Sequence, residues 1–139
     1  MLKMIIRVLP FLYMTAVWVM SSMPADAVVE LPKWDSIVKE SLHLVEFGIL
    51  YALLFLAALS YNGVSLKLNL LFILVSSLYG LIDEFHQYFV PYRSATVIDV
   101  VKDVIGVLVA SWILFGAYQK KRFAKLGHFL HQMESRFRN

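Results

Sequence analysis

Four apolar stretches, each close to the length of a helix that crosses a lipid bilayer, constrain this chain more than any other feature. They run from about Ile5 to Met23, Leu42 to Tyr61, Leu66 to Val90 and Val97 to Tyr118. Roughly 20 mostly apolar residues let a helix cross about 30 Å of hydrocarbon. Backbone polar groups at that depth must be satisfied internally, which leaves helices and closed barrels as spanning structures. Composition agrees: 60% of the residues are hydrophobic and 17% charged, with a mean hydropathy of +0.69. Soluble domains average about 45–50% and about 25%. The expected fold is an all-α membrane protein, a compact bundle of four transmembrane helices within residues 1–118, joined by short loops and followed by a basic tail at 119–139.

Local chemistry supplies the boundaries. Asn62-Gly63 is a turn pair between the second and third stretches, and Pro91-Tyr92-Arg93-Ser94 separates the third from the fourth. Arg7 and Pro10 interrupt the start of the first stretch. Ala25-Asp26-Ala27 after it resembles a signal-peptide cleavage site, but Pro24 and Asp26 crowd that site and three remaining helices would bundle poorly. The first stretch is therefore read as a retained helix. The chain has no cysteine, which excludes a disulfide framework, a thiolate metal site and a thiol nucleophile.

Charge is unevenly spread. Nine of the ten acidic residues lie between Asp26 and Asp103, while six of the thirteen lysines and arginines follow Gln119. Lys3, Arg7, Lys67 and that basic tail share one side if both termini are cytoplasmic, as positively charged short loops favour. The N-terminal end of the second helix, the C-terminal end of the third and the N-terminal end of the fourth then meet at the extracytoplasmic face. The tail, with Phe123, Leu126, Leu130 and Phe137 among its cations, suits a helix lying on an anionic leaflet. His128 and His131 within it read as solvated. Nothing supports nucleic-acid binding.

The polar residues gathered at the outer face form the candidate site. His43 and Glu46 share a stripe on the second helix with Lys39. Asp83 and Gln87 share a face of the third, flanked by Glu84 and His86, and Arg93 follows in the loop. Asp99 and Asp103 share a face of the fourth with Gly106 and Ala110, whose spacing suits close helix approach. Ionisable groups near membrane depth are expensive and tend to line a wet cavity or a functional site. The ligand-binding set is thus His43, Glu46, Asp83, Glu84, Gln87, Arg93, Asp99 and Asp103. Glu46, Asp83, Glu84 and His43 are the candidates for acid–base chemistry, should there be any. His43, Glu46 and Asp83 form a weak metal-ligand set with no compact motif, so neither metal nor cofactor is expected. No nucleophile motif accompanies them, and Ser94 and Thr96 read as loop and helix-capping residues. The same side chains would equally suit a structural network that fixes helix register.

These residues resemble the VanZ-like family of integral membrane proteins. The resemblance rests on Asp83-Glu84-x-x-Gln87, Pro91-x-Arg93, Asp99 and Gly106, with Trp18-x-x-Ser21-Ser22-x-Pro24 and His43-x-x-Glu46-Phe47 in support. Tyr92 stands where the family usually has glycine, Glu40 where a lysine is common, and Asp103 where asparagine is frequent. The resemblance implies a four-helix protein of the bacterial cytoplasmic membrane, linked to lowered susceptibility to teicoplanin-type glycopeptides. It fits a non-enzymatic, outward-facing pocket for a membrane lipid or lipid-linked cell-wall precursor. An intramembrane enzyme acting on a lipid head group and a small transporter or flippase component are the alternatives.

Overall fold

A computed structural model describes residues 2–23, 35–91, 93, 95–120 and 122–138, with the backbone alone for 35–43 and 120. Among them are five helices and no strand: α1 (Leu2–Ser21), α2 (Asp35–Leu59), α3 (Leu66–Gln87), α4 (Val97–Lys120) and α5 (Ala124–Arg138). Each expected apolar stretch is helical. α1 runs unbroken through Arg7 and buried Pro10, α2 starts seven residues before the expected Leu42, and α3 stops three residues before Val90. By length and composition α1 and α3 are fit to cross a membrane, and α2 adds a shorter apolar helix at Leu44–Leu59.

Hydrogen bonds between helices show that α1 to α4 alternate in direction. Arg7 near the start of α1 donates to the Oγ and carbonyl of Ser60, just past the end of α2, at 2.9 and 2.6 Å. Its guanidinium also lies 3.6 Å above the Tyr61 ring. The last carbonyls of a helix have no partner within it and carry the negative end of its dipole, so an arginine from a neighbouring helix is an apt cap. α2 and α4 form the most intimate pairing. A Cβ on Gly106 would run into the carbonyl oxygen of Leu44, and one on Gly48 would come within 3.1 Å of the Gly106 oxygen. The Gly106–Ala110 spacing therefore does what small residues do between membrane helices. Between α2 and α3, Gly63 adopts φ +82°, a left-handed turn conformation that glycine takes without steric cost.

α3 is built inside out. Its buried residues are Asn69, Ser76, Gly80, Asp83, Glu84 and Gln87, all polar or glycine. Leu70, Leu74, Leu78, Leu81, Ile82 and Phe85 are exposed instead. The apolar core sits elsewhere, with Phe47, Leu50, Tyr51 and Phe55 of α2 at its centre and Val107 of α4 against them.

α5 differs from the lipid-facing tail that the sequence suggested. It packs on α4 and α2, and Leu130 and Phe137 are buried there. Tyr118 donates to Glu134 at 2.9 Å and stacks on His131. An amphipathic helix must cover its apolar face, and here the protein covers much of it. His128 and His131 are exposed, as expected.

Candidate functional site

The cluster at the C-terminal end of α3 is organised by a chain of three side chains. Asp83 and Gln87 are one helical turn apart on α3 and both buried. Gln87 Nε2 donates to Asp83 Oδ2 at 2.6 Å, and Arg93 Nη1 donates to Gln87 Oε1 at 3.3 Å. An amide held between an anion and a cation has its orientation fixed, because its NH2 faces the carboxylate and its oxygen the guanidinium. Arg93 also donates from Nη2 to the Met20 carbonyl at 2.7 Å and from Nε to the Met23 carbonyl at 3.2 Å. These carbonyls lie at the C-terminal end of α1, so Arg93 caps α1 as Arg7 caps α2. All three acceptors are neutral. A guanidinium has five N–H groups, so two have no partner among the described residues. Asp83, 1% exposed, keeps one oxygen, Oδ1, without a hydrogen-bond partner among the described residues.

α4 supplies the neighbouring carboxylates in two different states. Asp103 is fully buried and packs against Gly80 of α3: a Cβ on Gly80 would lie 3.2 Å from Asp103 Oδ2 and 3.4 Å from Phe47. Gly80 is one helical turn before Glu84 on α3, and its missing side chain leaves room for the Asp103 carboxylate against α3. Asp99 is instead tied into the start of its own helix. Thr96 Oγ1 donates to Asp99 Oδ2 at 2.6 Å and accepts from the Asp99 N–H at 3.2 Å, while Lys102 sits 3.3 Å from Oδ1. The Asp99 N–H to Thr96 Oγ1 bond is an N-cap, with the Asp99 carboxylate held by the same hydroxyl and by Lys102. Thr96 is the cap the sequence suggested; Ser94 and Tyr92 lie outside the described residues.

The remaining expected members are spread around this centre. Glu46 on α2 is half-buried, and its carbonyl accepts from Tyr13 of α1 at 3.1 Å. His43 lies on α2, but its side chain and that of Lys39 are outside the described residues. Glu84 is buried on α3 beside Asp83. Glu46, Glu84 and Asp103 all have interaction partners. Among the described residues no group of three potential ligands could hold a metal ion.

The part played by α1 was not visible in sequence. His86 stacks on Trp18 with ring centroids 4.1 Å apart, and its Nε2 lies 2.9 Å from Ser22 Oγ. Tyr79 donates to the Met14 carbonyl at 2.6 Å. With Arg93, these contacts make the end of α1 a fourth wall of the site. Trp18 and Ser22 were noted for their motif, but nothing in their spacing named His86 as partner.

A second polar group lies at the other end of the polar face of α3. Asn69 Oδ1 accepts from Tyr51 at 2.6 Å and from Ser111 at 2.9 Å. Ser76, fully buried between the two ends, has no hydrogen-bond partner among the described residues. The sequence suggested no polar stripe at the end of the bundle away from Arg93; the structure extends the buried polar face of α3 to Asn69 there.

The geometry at this end of the bundle unites the Asp83–Gln87 pair, the capping arginine and a glycine-accommodated carboxylate from the next helix, at the residues that carry the sequence resemblance. The VanZ/LLP1 family model matches residues 2–118, all four helices of the bundle. The chain belongs to the VanZ/LLP1 family. No curated protein and no solved structure matches it. As a VanZ/LLP1 member with two helices of spanning length, it is a membrane-associated protein. The matched region ends at Tyr118, before α5, so the docked C-terminal helix lies outside it.

Proposed function

We propose that this VanZ/LLP1 protein spans the bacterial cytoplasmic membrane with α1 to α4, has both termini in the cytoplasm, and uses the Arg93 end of the bundle to bind an anionic head group at the outer face. The ligand class is a membrane lipid or a lipid-linked cell-wall precursor, and the outcome is lowered susceptibility to teicoplanin-type glycopeptides. Membrane embedding is supported by the inside-out character of α3, whose buried face is polar and whose outer face is leucine, isoleucine and phenylalanine. One observation carries the ligand reading. Among the described residues Arg93 gives its three hydrogen bonds to neutral oxygens, with two N–H groups unused there, and a guanidinium meets phosphate bidentately. Asp83 and Gln87 would set the guanidinium rather than touch the ligand.

The test is glycopeptide susceptibility in cells expressing the full chain, Arg93→Gln or Asp83→Asn at equal membrane abundance. Wild type should lower susceptibility, Arg93→Gln should remove the effect, and Asp83→Asn should weaken it. Unchanged susceptibility with both variants would sink the reading. The polar stripe from Asn69 through Ser76 to Gln87 favours a second reading, a flippase component that passes a head group along α3. Faster transbilayer movement of a labelled phospholipid in vesicles holding the protein would support it.

A further inference from the structure

A groove with a volume of about 600 Å³ opens between the first turn of α3 and the C-terminal half of α4. It lies at the opposite end from Arg93, since Asn69 and Gln87 are 18 residues apart on α3, about 27 Å at the helical rise. Its size falls in the range of small-molecule and cofactor sites, roughly 300–1,000 Å³. Trp112 and Phe115 of α4 form an apolar wall, and Gly116 leaves it open, because a Cβ there would meet only the Arg122 side chain, at 3.8 Å. Asn69 and Ser111 form a polar floor. Asn69 is only 5% exposed, and both of its side-chain hydrogen bonds go to Oδ1. Its NH2 group therefore keeps its donors unused among the described residues. Arg122 stands at the rim, 5.6 Å from the Trp112 ring, and among the described residues no carboxylate lines the groove.

We propose that this groove binds one anionic glycerophospholipid. An acyl chain lies along Trp112 and Phe115, an ester carbonyl accepts from the Asn69 amide, and the phosphate pairs with Arg122. Each part of the groove meets the part of the lipid that matches it: an apolar wall, an amide donor on the floor that no described residue uses, and a cation beside an aromatic ring, as found at membrane interfaces. Water would satisfy the amide but waste the wall. A free phosphate would satisfy Arg122 and leave the wall bare.

The site is separate from Arg93, so either reading can fail alone. The full chain, purified in detergent, is titrated with dioleoyl phosphatidylglycerol or dioleoyl phosphatidylcholine and followed by native mass spectrometry. One phosphatidylglycerol should be retained, with a preference of about tenfold, the scale set by a charge-assisted hydrogen bond. Gly116→Leu fills the groove and should abolish retention. Arg122→Gln, at an exposed residue that the fold does not need, should make the two lipids equivalent. Equal retention of both lipids by wild type, or undiminished preference in Arg122→Gln, would overturn the proposal. So would full retention by folded Gly116→Leu.

Discussion

Two glycines on one helix should respond in opposite directions to the same added methyl group. In Gly106→Ala the new Cβ meets the Leu44 carbonyl oxygen, a backbone atom that cannot rotate away. In Gly116→Ala the nearest atom is Arg122 Cδ at 3.8 Å, an ordinary contact with a flexible side chain. Overpacking costs about 1–3 kcal/mol, and a closed backbone contact belongs at the upper end, near 3. Alanine is better than glycine inside a helix by about 1 kcal/mol. Gly106→Ala should thus lose about 2 kcal/mol and Gly116→Ala gain up to about 1, a separation of about 3 kcal/mol. Gly48→Ala, 3.1 Å from the Gly106 oxygen, should fall between them. Reversible unfolding in mixed detergent micelles, followed by far-UV circular dichroism, measures all three. If Gly106→Ala and Gly116→Ala shift stability in the same direction by similar amounts, the close α2–α4 crossing is wrong.

Because the chain has no cysteine, single cysteines report topology cleanly. Pro91→Cys should react with an impermeant maleimide in intact cells and Asn62→Cys only after lysis; the reverse pattern would place Arg93 in the cytoplasm. Thr96→Val should cost about 1 kcal/mol of stability as a lost N-cap and Thr96→Ser almost nothing, by the same unfolding assay. Neither should change glycopeptide susceptibility, and a phenotype in the folded variants would give Thr96 a role beyond capping.

The helices were legible because long apolar runs bounded by turn residues favour helix, and the turn at Gly63 and the cap at Thr96 because each has a local chemical cause. The Asp83–Gln87 pair followed from helical spacing. What escaped were contacts with main-chain atoms. Arg93 binds the carbonyls of Met20 and Met23, and a carbonyl leaves no trace in residue identity. The local ties of Asp99 to Thr96 and Lys102 were not legible either, because spacing does not show which neighbours a carboxylate at a helix start will engage. Tyr51, Asn69 and Ser111 meet across three helices, yet each is a polar residue set in an apolar run. The tail was misjudged because an amphipathic pattern specifies a covered face without naming the cover.

The central claim is that Arg93, whose hydrogen bonds among the described residues all go to neutral oxygens, binds an anionic head group. Binding of a polyprenyl pyrophosphate to the purified full chain tests it most directly, with wild type compared against Arg93→Gln and Arg93→Lys. Loss of a bidentate charged contact should weaken binding in Arg93→Gln by about tenfold or more, with Arg93→Lys in between. Equal affinity in all three folded proteins would contradict the account.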